Sequence, residues 1–307
     1  MTPPSVLISE VGPRDGLQSV KGIMPTAHKL AWIDSLYHAG VREIEVCSFV
    51  PARLLPQMAD AAEVVKHALS LPGLTVMALV PNIKGAESAL AAGVHKLTIP
   101  VSASEAHSQA NVRKSRVDMV QEVRNILALR NERAPQVKVE AGVSTAFGCT
   151  LQGAVSDEDV VWMAGELAQA GADEVGLSDT TGMANPSQVR RLFNKVRAVI
   201  GHTTGAAHLH NTRGLGLANC LAAFDVGVTT FDSSQGGLGG CPYAPGASGN
   251  VVTEDLVFMF EAMGVKTGVN LEKLMAARIQ LQAGLPQEPL YGMTPEAGTP
   301  KGWTQDL

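Results

Sequence analysis

Eight short β-rich runs, each followed by a longer stretch of helical spacing, recur from one end of the chain to the other. They are Val6–Ser9, Glu43–Ser48, Leu74–Val80, Lys96–Pro100, Val137–Val143, Glu174–Ser178, Ala206–His210 and Thr229–Asp232. No other feature constrains the fold as much, because parallel strands need a long crossover between them and a helix is the usual one. Eight units with no reversal and no break in composition predict an α/β fold, a closed (β/α)8 TIM barrel rather than an open sheet. The joints agree. Ala39-Gly40-Val41, Ala92-Gly93-Val94, Ala170-Gly171-Ala172 and Val226-Gly227-Val228 each put glycine where a helix ends and a strand begins, a position that favours a left-handed residue.

With 307 residues, 45% of them hydrophobic, the chain can close one such barrel, and no Pro/Ser linker divides it. The expectation is a single catalytic domain over residues 1–307. The helix near Leu271–Gln282 and the polar tail after it make residues 270–307 a short C-terminal helical extension. A formal net charge of −5 without any Lys/Arg block argues against nucleic acid or anionic lipid as partners and leaves a small molecule. Cys47, Cys149, Cys220 and Cys241 are scattered and form no CxxC pair, so neither a zinc ribbon nor a disulfide framework is expected. Met-Thr-Pro-Pro-Ser lacks the features of a signal peptide, and no apolar run approaches the ~20 residues of a membrane helix. A soluble, cytoplasmic protein is expected.

The candidate chemistry gathers at strand ends. In His208-Leu209-His210 the period of two sends both imidazoles to one side and Leu209 to the other, about 6.6 Å apart along the strand, so they could share a metal ion or be unrelated. Arg14 and Asp15, in Val11-Gly12-Pro13-Arg14-Asp15-Gly16-Leu17-Gln18, follow the first strand and fall at the C-terminal mouth where barrels of this type hold their active sites. An Arg-Asp-Gly turn with a solvated arginine is the plainer reading; closure of the barrel lets Asp15 complete a carboxylate-plus-two-histidine site. Glu45 lies between Ile44 and Val46, which would face the helices, so its carboxylate points inward and needs a partner. Pairing with Arg14 either fixes the loop or orients Arg14 toward substrate. After the eighth strand, Gly236–Asn250 holds six glycines, with Cys241 at its centre, a loop able to move and to approach a ligand closely. Asn250 is placed to cap a following helix or to offer its amide oxygen to a metal. Ser178-Asp179-Thr180-Thr181-Gly182 ends the sixth strand at the same mouth. Positive charge around Arg113 and Lys114 could meet phosphates or be solvated.

Taken together, Val11–Gln18, Ser48-Phe49-Val50 with Pro56-Gln57-Met58-Ala59-Asp60, the His208/His210 pair, and Gly237–Asn250 with Thr253-Glu254-Asp255-Leu256 resemble the 3-hydroxy-3-methylglutaryl-CoA lyase family, from near residue 5 to about residue 275. The resemblance implies a divalent metal, Mg²⁺ or Mn²⁺, held by Asp15, His208, His210 and Asn250. It implies an acyl-CoA substrate cleaved by a retro-Claisen reaction to acetyl-CoA and acetoacetate, and a homodimer. Arg14 and Cys241 are then catalytic, Arg14 stabilising an enolate oxygen and Cys241 protonating the enolate carbon. Asp179, Glu45 or a water would take the hydroxyl proton, and Arg14, Gln18, Ser48 and Asn111 would bind substrate.

The chain departs from the family pattern where it reads Asn211-Thr212-Arg213-Gly214-Leu215 after the histidines, Gly142 in place of a tyrosine on strand five, and Ser178 in place of a glycine on strand six. A ring replaced by hydrogen opens space, so citramalyl-CoA or a longer-branched 3-hydroxyglutaryl-CoA is an alternative substrate. A Claisen-condensing acyltransferase on the same barrel is a further alternative, opposed by the Cys241 loop and the short C-terminal tail. A non-catalytic CoA or metal binder is the remaining one, opposed by the filled catalytic positions.

Overall fold

The computed structural model describes residues 4–239 and 249–305. Strands β1 (Leu7–Glu10), β2 (Glu43–Ser48), β3 (Thr75–Leu79), β4 (Lys96–Ser102), β5 (Lys138–Ser144), β6 (Glu174–Ser178), β7 (Thr204–His208) and β8 (Thr230–Ser233) form one closed parallel barrel in sequence order. Closure is made by β1 against β8, with Leu7 opposite Thr230 and Glu10 opposite Ser233. The expected (β/α)8 barrel is the observed one.

Strand sequences divide by face. Ile44, Val46, Val76, Leu97, Ile99, Val139, Val175 and Leu177 point outward, are at most 1% exposed, and pack under the helices as one core. At the base of the barrel, inward positions carry ions: Lys96 Nζ lies 2.7 Å from Glu140 and 2.6 Å from Glu174. Burial pushes the Glu140 carboxyl up to about 7, and the Lys96 ammonium holds it from rising further.

The ring outside consists of α1 (Thr26–His38), α2 (Ala61–Ala68), α3 (Ile83–Ala92), α4 (Glu105–Val112), α5 (Arg116–Arg133), α6 (Asp157–Ala170), α7 (Pro186–Ile200), α8 (Gly216–Asp225) and α9 (Thr253–Ala262). Many of these starts are capped by short polar side chains. Asn82, Ser104, Ser156 and Asn185 each accept the third backbone N–H of their helix, and Ser115 forms a reciprocal box with Asp118, offsetting N–H groups that would otherwise lack partners. The joint glycines Gly40, Gly93, Gly171 and Gly227 have φ of 103°, 87°, 100° and 85°, as their sequence signature implied.

A further helix, α10 (Leu271–Gly284), packs on α1. Gln235 Nε2, at the end of β8, donates to its Leu274 carbonyl at 2.6 Å. The C-terminal extension is thus joined to the barrel wall rather than hanging from it. Among the described residues no helix is long and apolar enough to cross a membrane.

Candidate active site at the C-terminal mouth

After β1 the chain makes one wide helical turn, Gly12–Gly16, in which the N–H groups of Arg14, Asp15 and Gly16 all point at the Val11 carbonyl, at 3.1, 2.7 and 3.4 Å. The turn directs the Arg14 side chain toward the neighbouring strand β2. Its Nε donates to Glu45 Oε2 at 2.5 Å and its Nη1 to Asp15 Oδ1 at 2.7 Å. Glu45 faces inward from β2, as the outward positions of Ile44 and Val46 require, and also accepts the Thr98 hydroxyl. A buried carboxylate and a buried guanidinium thereby satisfy each other, and the planar guanidinium fork is fixed at the cavity wall.

On the other side of β1, beyond β8, β7 delivers His208 with its Nε2 3.2 Å from His210 Nε2, while Leu209 between them is fully buried on the other face. His208 Nδ1 is hydrogen-bonded to Asp232 of β8 at 3.0 Å. That outer partner orients the ring and leaves Nε2 toward Asp15, whose Oδ2 is 3.9 Å away. His210 is placed by backbone instead, through a bridge to Asn250. Asp15, His208 and His210 each bring a ligand atom within 4.8 Å of the others.

Asn250 completes the group in a way that differs from the capping role open to it, since α9 begins at Thr253. Its amide nitrogen donates to Asp15 Oδ2 at 2.6 Å and to the Leu238 carbonyl at 3.1 Å. Its Oδ1 is buried with no hydrogen-bond partner among the described residues, an arrangement that costs stability unless an electropositive group meets it.

Charge follows the same logic. Burial alone would raise Asp15, yet the Arg14 guanidinium, both imidazoles and the Asn250 amide hold its carboxyl down to about 2. Burial would lower His208, but the hydrogen bond and charge of Asp232, with Asp15 adding, lift it above the ordinary imidazole range. Burial and the neighbouring His208 push His210 down to about 4. An ionised carboxylate, two imidazole nitrogens and a partnerless amide oxygen, converging out of bulk water, fit a divalent cation of the Mg²⁺, Mn²⁺ or Zn²⁺ kind.

Asp15, His208 and His210 line a cavity of about 290 Å³ that opens at the mouth. Met77, Leu79, Gly142, Ser144, Ser178 and Thr180 also line it, as do Gln18, His107 and Asn111. Of the residues singled out from sequence, the structure gathers Arg14, Asp15, Gln18, Glu45, Asn111, His208 and His210 around this cavity, with Asn250 bonded to Asp15 behind them. Others lie elsewhere. Asp179 does not line the cavity, because its carboxylate is turned onto the Met183 and Ala184 amides. Ser48 is fully buried with its hydroxyl unpaired among the described residues, outside the cavity lining, after a register shift in β2 between Glu45 and Cys47. Arg213 donates to the Thr181 and Gly182 carbonyls and ties two loops together. Lys114 is engaged by Glu122 at 2.6 Å, so part of the positive charge that could have met phosphates is paired within the protein. Cys241 lies outside the described residues. Sequence reasoning passed over Asp232, although its place at the end of the eighth strand, in register with His208, was a usable signal.

The HMGL-like family model matches residues 5–280. The chain belongs to the HMGL-like family. The hydroxymethylglutaryl-CoA lyase YngG of Bacillus subtilis is 43% identical over 277 residues, 90% of this chain and 91% of that protein. A 3-hydroxy-3-isohexenylglutaryl-CoA/hydroxy-methylglutaryl-CoA lyase of Pseudomonas aeruginosa is 42% identical over 90% of this chain and 91% of its own length. Among solved structures, an HMG-CoA lyase from Acenitobacter baumannii in complex with coenzyme A and 3-methylmalate superposes with a TM-score of 0.91 at 36% identity, covering 99% of this chain and 98% of that one. This HMGL-like chain therefore shares with lyases of known structure nearly its whole length and not the barrel alone.

Proposed function

We propose that this chain cleaves 3-hydroxy-3-methylglutaryl-CoA to acetyl-CoA and acetoacetate, using a divalent ion, Mg²⁺ or Mn²⁺, held by Asp15, His208, His210 and Asn250. The observation that carries the reading is the convergence of those four residues beside the Arg14–Glu45 pair at one mouth, in a chain whose full-length relatives bear that activity in their names. When bound, the ion supplies Lewis-acid polarisation that acidifies the tertiary hydroxyl of the substrate.

The protein's own groups do the rest. As the C2–C3 bond breaks, its electron pair moves onto the thioester, and Arg14, fixed by Glu45, presents N–H donors to the oxygen where charge develops. Preorganisation matters because the donors need no rearrangement at that moment. Glu45 is committed to Arg14 and Thr98, and Asp179 to its turn. Of the three acceptors open for the hydroxyl proton, water is the one this reading uses. Cys241 returns a proton to the enolate carbon, an assignment that rests on the resemblance alone. Gln18 and Asn111 line the cavity where they can meet the acyl-CoA. The homodimer expected from the resemblance belongs to the same proposal, as does a cytoplasmic location.

One observation favours a second substrate, a 3-hydroxyglutaryl-CoA with a longer branch at C3. The wall at Gly142 is open, since a Cβ there would meet only Ser178 Oγ, at 3.8 Å. The deciding assay measures acetyl-CoA release with Mg²⁺ or Mn²⁺ from 3-hydroxy-3-methylglutaryl-CoA, a longer-branched homologue and citramalyl-CoA, with Cys241→Ala as control. Metal-dependent release from the first that collapses in the control is the expected result. Release from another substrate alone moves the assignment to that acyl group, and no release from any of them sinks the lyase reading.

A further inference from the structure

Behind the mouth, on the helix side of β1, lies a buried carboxyl that the proposed chemistry does not use. Glu10 is fully buried, and no cation is hydrogen-bonded or ion-paired to it among the described residues. Its Oε1 accepts the Gly12 N–H at 2.8 Å and the Gln235 N–H at 2.9 Å. Its Oε2 is 2.7 Å from the Thr253 hydroxyl, which in turn is 2.9 Å from the Ser233 hydroxyl. One carboxyl thus touches the first residue of the Arg14–Asp15 turn, the start of the segment leaving β8, and the first residue of α9, three positions beyond Asn250.

The packing around it is closed. A Cβ on Gly12 would fall 2.5 Å from Glu10 Oε1, 2.9 Å from the Trp32 ring and 3.0 Å from Ser234 Oγ, and one on Gly16 would fall 2.9 Å from Leu238 Cβ. Both glycines bracketing Arg14 and Asp15 are therefore needed because the turn is pressed onto this joint. The segments joined also carry the donors, since Asn250 bonds Asp15 and the Leu238 carbonyl, and the Ser234 and Thr253 amides continue the contact to Val251 and Ser234 carbonyls.

We propose that Glu10 is a positioning residue: its carboxyl locks the Arg14–Asp15 turn to the β8 loop and to the start of α9, so that the Asp15 and Asn250 donors keep one geometry. The carboxyl works uncharged. With Oε1 taking two N–H groups, its proton sits on Oε2 and points to the Thr253 hydroxyl, which passes its own to Ser233. The neighbouring Glu254 would repel a second anion, and the Arg278 guanidinium is engaged by Glu254 at 2.5 Å. Burial lifts the Glu10 carboxyl to about 8, in keeping with the neutral form.

This inference rests on the metal reading above for its functional readout, and a second readout separates the two. Glu10→Gln keeps both roles, since the amide oxygen accepts and the amide nitrogen donates. It is expected to match the parent protein in Mn²⁺ affinity by paramagnetic resonance titration and in kcat. Glu10→Ala leaves two N–H groups orphaned and should weaken Mn²⁺ binding by about 10- to 100-fold and kcat by about 100-fold, with little change in KM. Thr253→Val, which cuts only the link to α9, should give a smaller loss in the same direction. Hydrogen exchange at the Gly12 and Gln235 amides should quicken in Glu10→Ala and not in Glu10→Gln. Unchanged Mn²⁺ affinity in folded Glu10→Ala and Thr253→Val, or failure of Glu10→Gln to preserve it, would overturn the proposal. If the parent protein bound no Mn²⁺, the metal reading would fall, and unchanged exchange in Glu10→Ala would dispose of the joint as well.

Discussion

At the scale of single residues, two inward glycines on neighbouring strands are glycine for different reasons. Gly176 has no room: a Cβ would meet Glu140 Oε1 at 2.8 Å and the Ala206 carbonyl at 2.9 Å. Gly142 has room and no positive φ, so neither packing nor backbone demands it, and a glycine inside a strand weakens the strand unless something approaches it closely. Space for substrate is the remaining use. Gly142→Leu is expected to leave cleavage of the methyl-branched substrate within about tenfold while lowering kcat/KM for a longer C3 branch by about 100-fold, read from the ratio of the two. Glu10 offers a prediction in pH. Its carboxyl stands at about 8 when folded against an ordinary 4.5, chiefly through burial and with Glu254 of α9 adding repulsion. The unfolded chain therefore releases this proton first. The contribution of Glu10 to stability is complete below about 4.5 and is lost as pH rises through 8, at up to about 1.4 kcal/mol per pH unit. Urea midpoints across that range should fall more steeply for the parent protein than for Glu10→Gln, and parallel curves would remove the effect.

At the scale of elements, the joint glycines were legible from sequence because a left-handed residue is a local requirement, met or not met by one residue type. What surrounds each joint was not legible. Gly40 has φ of 103° and a Cβ there would sit 2.3 Å from the Gly268 carbonyl, whereas Gly171 has φ of 100° and nothing within 4 Å. Alanine at Gly171 should cost about 1–2 kcal/mol for the conformation alone, and at Gly40 about 3 kcal/mol or more because backbone must also move. Chemical denaturation of the two variants tests the difference. Strand ends slipped for a similar reason. The run expected to continue to His210 leaves the ladder at His208, and His210 instead pairs with Asn250, a residue forty positions away that no local pattern announces.

At the scale of the whole molecule, the apolar core lies between barrel and helices, while the candidate metal ligands sit at the mouth. Loss of the ion should therefore abolish activity without unfolding the chain. Treatment with a chelator is expected to leave far-UV circular dichroism intact. Added Mn²⁺ at 100 times its Kd should stabilise by about 2.7 kcal/mol, visible as a rise in Tm. His208→Ala should lose most of that rise, and an equal rise in the variant would place the ion elsewhere.

Periodicity by itself determined the barrel, because eight alternations of period two and helical spacing admit few ways to bury every apolar face at once. It also determined the inward direction of Glu45 and the common side of His208 and His210, since alternation along a strand is a property of the backbone. Tertiary structure alone decided that Asp232 steadies His208, that Asp179 serves a turn, that Ser48 is sealed away, and that Glu10 ties three segments together. Those outcomes depend on which groups meet across strands and loops far apart in sequence. For a polar side chain, the partner it finds there fixes whether it acts on a ligand or on the protein itself.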